Sequence, residues 1–72
     1  MPYVNVKITR DGVTPEHKQR IIAGVTQVLV DVLAKDPALT FVVVDEVAHE
    51  DWGVGGTTVD AFWRSRANGA VT

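Results

Sequence analysis

The chain contains no cysteine, so disulfides, the usual staple of small secreted domains, are excluded. Histidine is nearly absent too: His17 and His49 stand far apart without a second cluster of ligands, and no metal site is expected. No long run of one charge occurs, and the net charge is −2. Without a basic stripe or aromatic residues interleaved with basic ones, nucleic acid is not an expected partner. No apolar stretch approaches the roughly 20 residues that span a bilayer, so no membrane association is expected. The first ten residues alternate in polarity instead of forming the apolar core of a secretory signal. Together these absences predict a soluble cytoplasmic protein.

What is present is 72 residues, 46% of them apolar. That length predicts a single domain over 1–72, with an ordered core and arm over 1–66 and a frayed tail over 67–72. A domain this small is marginal alone and is usually reinforced by disulfides, a metal or partner subunits. With the first two set aside, subunit association remains, and the apolar content suits it.

Along the chain, Val4, Val6 and Ile8 alternate with Tyr3, Asn5, Lys7 and Thr9, the period-two pattern of a half-buried strand. Arg10-Asp11-Gly12 breaks it with turn residues. Thr14 then offers a helix N-cap, Pro15 suits the first helical position, and Glu16 sits in the positive field of the first turn. Ile21, Ile22, Val25, Val28, Leu29, Val32 and Leu33 form one stripe of helical period, predicting a helix to about Ala34. Gly24 interrupts it at a cost of about 1 kcal/mol relative to Ala, which close approach of the helix to the sheet would explain. Lys35-Asp36-Pro37 ends the helix. Phe41 to Val47 reads as a second strand, and its run Phe41-Val42-Val43-Val44 as one covered on both faces.

Two strands joined by a long helix predict an α/β chain, a parallel β-α-β unit. Two strands alone cannot close a core, so the sheet is expected to continue across a subunit boundary. Ala48 to Asp51 reads as a polar loop. In Trp52-Gly53-Val54-Gly55-Gly56, three glycines in four positions call for a tight turn. Thr57-Thr58-Val59 could form a hairpin arm, and Asp60 to Arg66 either a short helix or an extended arm. Asp45 and Glu46 lie on the second strand, where either could pair with Lys7 as a structural contact.

Proline at position 2 says little by itself. Freed of Met1, however, its nitrogen is a secondary amine; apolar neighbours disfavour the cation and lower its pKa. An amine with a pKa near neutrality is an efficient proton carrier. The opening Met-Pro-Tyr-Val-Asn-Val-Lys-Ile, the helix led by Thr14-Pro15-Glu16-His17-Lys18, the second strand and Trp52-Gly53-Val54-Gly55-Gly56 follow in this order over residues 1 to 59. That sequence of motifs resembles the 4-oxalocrotonate tautomerase family.

The resemblance implies a β-α-β tautomerase-type protomer whose two-stranded parallel sheet extends across a dimer, in a homodimer or a homohexamer. It implies enol–keto proton transfer on a 2-hydroxy-dienoate or related enolisable 2-oxo acid, with Pro2 as general base and neither cofactor nor metal. Trp52 matches the family's aromatic pocket wall, the alternative being a packing anchor. Counted from the terminal proline, the first carboxylate-binding arginine of the family falls on Gly12. Arg10, two residues earlier, either serves in its stead or remains a solvated turn charge. Counted back from Trp52, the second falls on Phe41, an apolar ring in place of a fork of donors. Recognition of a dicarboxylate is thereby weakened. Arg64 and Arg66 could supply charge from a neighbouring subunit or simply face solvent. Dehalogenating relatives carry an acid just beyond the aromatic; here Gly53-Val54 follow, and Glu50 and Asp51 read as a solvated loop face. Other readings are different chemistry, such as decarboxylation of a β-keto acid, and a non-catalytic oligomeric binding module.

Overall fold

The computed structural model describes residues 1–67. Strand β1 spans Tyr3–Thr9, helix α1 Pro15–Leu33 and strand β2 Phe41–Val47. Two short strands, β3 (Gly53–Val54) and β4 (Thr57–Thr58), lead into helix α2, Val59–Ala67. Single 3₁₀ turns occupy Pro37–Leu39 and His49–Asp51. The expected frayed tail is corrected at its start, since Ala67 closes α2; residues 68–72 lie outside the described residues.

β1 and β2 pair in parallel, from Tyr3 opposite Phe41 to Thr9 opposite Val47. Beyond these ends, the Phe41 N–H donates to the Pro2 carbonyl at 3.0 Å and the Arg10 N–H to the Val47 carbonyl at 3.1 Å. The start of α1 is fixed by a reciprocal cap. The His17 N–H donates to Thr14 Oγ1, and the Thr14 N–H donates to His17 Nδ1. The helix ends as Ala34 turns into the left-handed region at φ 53°, one residue before the Lys35-Asp36-Pro37 stop. Its N–H closes on the Val30 carbonyl at 3.0 Å.

Directly opposed residues of a sheet share a face. Val4, Val6, Ile8, Val42, Val44 and Glu46 therefore lie on one face, which meets α1: Lys18 Nζ bonds Glu46 at 2.6 Å. The other face carries Tyr3, Asn5, Lys7, Phe41, Val43 and Asp45. There Lys7 pairs with Asp45 at 3.1 Å, and Asn5 donates to the same carboxylate at 2.8 Å. Tyr3 is 63% exposed, Phe41 50% and Val43 40%. Within one chain, then, β2 is covered on one face only, contrary to the sequence expectation. The α1 stripe is likewise half covered, with Val28, Val32 and Leu33 in solvent. Gly24 is exposed, and a Cβ there would meet nothing within 4 Å. Close approach to the sheet is thus not its reason in this chain.

Gly55 and Gly56 form the two-residue turn between β3 and β4, with φ 61° and 88°. Both central residues of such a hairpin turn need the left-handed region, which glycine enters without steric cost. Among the described residues only Val59 is buried. The radius of gyration is 16.3 Å, against about 11 Å for a compact chain of this length.

Candidate active site

The parallel sheet decides where the candidate residues stand. Both strands start at the same end, so Pro2 lies beside Phe41. Its carbonyl is fixed by the Phe41 N–H, and its ring is half-buried. Its chain neighbours Met1 and Tyr3 and its hydrogen-bond partner Phe41 are exposed apolar residues. With Met1 in place the Pro2 nitrogen is an amide and has no basic lone pair; it stands where the free amine would be once Met1 is removed. Met1 is 80% exposed, which leaves it open to a peptidase.

Arg10 and Trp52 occupy the far end. β1 advances by roughly 3.3 Å per residue, so Arg10 lies roughly 26 Å from Pro2 of the same chain. Its side chain is exposed and makes no ion pair among the described residues. Trp52 follows the His49–Asp51 turn: its N–H donates to the His49 carbonyl at 3.2 Å, and its carbonyl accepts from the Val59 N–H at 2.8 Å. Half-buried, it anchors the start of α2. The four candidates thus split, Pro2 bonded to Phe41 at the start of the sheet and Arg10 and Trp52 beyond its far end. No single chain brings them together. Gly12 lies in the β1–α1 turn at φ 72°, a conformation for which glycine is suited and arginine is not.

At the Arg10 end lies a cluster that sequence reasoning missed. His49 Nε2 meets Asp11 Oδ1 at 2.6 Å, and Nδ1 meets Asp60 Oδ1 at 2.7 Å. Thr9 Oγ1 donates to the other oxygen of Asp11. The indole of Trp63 packs perpendicular to the imidazole, centroids 5.2 Å apart. Hydrogen bonds to Asp60 and then Asp11 raise the His49 pKa from its ordinary 6.5. The Thr9 hydroxyl, followed by His49, holds the Asp11 carboxyl below its ordinary 3.8. The only available signal was an unpaired histidine with acids at distant positions, and a helical period in Val59–Ala67 too short to read. Arg64 and Arg66 lie exposed on α2; Arg66 stacks over the Phe62 ring at 5.3 Å. No cluster of metal-ligating side chains occurs among the described residues, and no helix there is long and apolar enough to cross a membrane.

Comparison with known proteins gives a consistent picture. The family model for "Tautomerase enzyme" matches residues 2–61. A probable tautomerase K2 of Dickeya dadantii is 59% identical over 59 residues, 82% of this chain and 88% of that one. Among solved structures, DmpI from Helicobacter pylori superposes with a TM-score of 0.84 at 37% identity, covering 88% of this chain and 97% of its own. A 4-oxalocrotonate tautomerase isozyme from Methylibium petroleiphilum gives 0.77 at 28%, covering 85% and 97%. A Chloroflexus aurantiacus homologue described as a heterohexamer shares the fold, with a TM-score of 0.76 at 18% identity over 83% and 95%.

Proposed function

This chain belongs to the tautomerase family, and from that premise we propose that it transfers a proton between oxygen and carbon of an enolisable 2-oxo acid, with Pro2 as the base. The observation that carries this reading is the seat of Pro2. It is pinned at the head of β1 by the Phe41 N–H, with the apolar residues Met1, Tyr3 and Phe41 beside it. Removal of Met1 turns its nitrogen into a secondary amine on a fixed ring. Covering the apolar surround with a second subunit strips water from that amine, disfavours the cation and lowers the pKa.

The neutral amine takes the proton of the enol hydroxyl, and the O–H electron pair stays on oxygen as a dienolate. The same nitrogen, now a cation, delivers that proton to carbon as the ketone forms, so the amine is regenerated neutral. No net charge or electron is exchanged. The dienolate needs a positive partner, because its negative charge develops in a site from which water is excluded. Arg10 is the candidate, and its distance from its own Pro2 requires that it come from another chain. Trp52 lies beyond the same end of the sheet and would close the pocket. The reading therefore joins the Pro2 end of one protomer to the Arg10 end of another in an oligomer.

Blocking the amine tests the base. Protein with an extra residue ahead of Pro2, verified by intact mass, should keep its fold by circular dichroism and lose nearly all turnover of phenylenolpyruvate. Full activity in the blocked protein would assign the base elsewhere. Loss of turnover in both blocked and free protein would favour a binding module.

A further inference from the structure

We propose that His49 is a positioning residue for Arg10, locking the β1–α1 turn to α2 in the orientation that presents the guanidinium to the substrate. The proposal rests on the reading of Arg10 as the cation of the site. Its ground is that both neighbours of Arg10 in the chain belong to one network. Thr9 donates to one oxygen of Asp11 and His49 meets the other, so the carboxylate cannot rotate. The Arg10 N–H is bound to the Val47 carbonyl, the last rung of the sheet ladder. His49 is held in turn by Asp60 and by the perpendicular ring of Trp63, both on α2. The family model ends at residue 61, whereas α2 runs to Ala67. Trp63 thus belongs to a part of the helix beyond the matched residues.

The protonation state of the ring decides whether the lock closes. An ionised carboxylate only accepts hydrogen bonds, and a neutral imidazole has one N–H. Two carboxylates on the two ring nitrogens are both satisfied only by the imidazolium. Asp11 from the turn and Asp60 from α2 are the charged groups that face the ring. Glu50 and Asp51 of its own turn, Arg10 and Arg64 make no ion pair with it among the described residues. Loss of the proton sets a lone pair against one carboxylate, releases that arm and frees the turn. A misplaced charge in an active site is costly: displacement by about 1 Å can lower rate by about a hundredfold.

The test is the pH profile of kcat/KM for phenylenolpyruvate in wild type, Asp60→Asn, His49→Gln, Arg10→Ala and the His49→Gln/Arg10→Ala double variant. His49 titration is followed in parallel by imidazole NMR. Wild type should lose rate on the alkaline side at the pH where His49 titrates. Asp60→Asn, close in shape but uncharged and able to donate to a neutral ring, should move the NMR titration to lower pH and flatten the alkaline limb. His49→Gln should cost about tenfold or more near neutrality and abolish the limb, yet add nothing when Arg10 is already Ala. Should His49→Gln fail to fold, Asp60→Asn decides by itself. A titration that moves while the limb stays, or His49 and Arg10 effects that multiply, would overturn the proposal and leave the Arg10 reading standing. An Arg10→Ala variant with wild-type kcat/KM would remove Arg10 from the site, and the proposal with it.

Discussion

A secondary amine becomes a useful base only as water leaves it, so the rate should report the charge on Pro2. On the proposed assignment only the neutral form reacts, and kcat/KM should climb with pH through the pKa of the mature amine. Pro2→Ala, with a primary amine on a freer backbone, should retain a small fraction of activity. Substrate choice follows from what flanks the amine. Phe41 beside Pro2 offers an apolar ring, and Gly12 has no side chain to bind with, so one carboxylate is better served than two. Steady-state kinetics should give phenylenolpyruvate a higher kcat/KM than 2-hydroxymuconate; equal values would contradict the assignment of these two positions. The titrating groups also set stability. The carboxyls of Asp11 and Asp45 are held below 3.8, the first chiefly by Thr9 and the second by Asn5 and then Lys7. Their contribution is present above that value and fades as pH falls through the lowered pKa. His49 is raised above 6.5, so its contribution is complete below 6.5 and is lost as pH rises through the raised value. Thermal melts should therefore show a plateau between these limits, with a decline on each side. His49→Gln should lower the plateau and remove the alkaline decline.

Helix α1 ends on a residue poorly suited to its conformation. Ala34 adopts φ 53°, where a Cβ crowds the following carbonyl at about 1–2 kcal/mol. Ala34→Gly should raise stability by about 1 kcal/mol in chemical denaturation; no change would mean that the cap relaxes in solution. Nothing in the sequence announced this cap, because alanine carries no left-handed preference. The limits of β1 and β2, by contrast, were legible residue for residue. Period-two alternation and the punctuation by Arg10-Asp11-Gly12 and Pro37 are local signals. The start of α1 was equally plain from Thr14-Pro15, although the reciprocal bond from His17 was not. α2 stayed undecided between helix and arm because part of what fastens it, the bond from Asp60 to His49, joins positions on separate elements. For the same reason His49 could be weighed only as a metal ligand. Pro2 and Trp52 were singled out through the order of motifs, but their separation appears only once the sheet is known to be parallel.

At the scale of the molecule, one buried side chain among the described residues is too little core for a lone protomer. The bare face with Tyr3, Phe41 and Val43, and the uncovered part of α1 with Val28, Val32 and Leu33, are where association would add one. Light scattering at micromolar concentration should report a dimer or larger. Val43→Glu, placing a charge on that face, should dissociate it and abolish turnover, and a stable, active wild-type monomer would contradict the shared site. The extended length of β1 has one more consequence. It sets Pro2 and Arg10, the proposed base and cation, at opposite ends of each chain, so damage to one leaves the other fit for use by a neighbour. Chains blocked ahead of Pro2 and chains carrying Arg10→Ala should each be inactive or nearly so, yet unfolding and refolding them together should restore activity. In an equal mixture, random assortment in a symmetric assembly would join an intact base to an intact arginine at roughly a quarter of the sites. Two defective populations would thus complement one another in a test tube, as they could not if every chain carried its own complete centre.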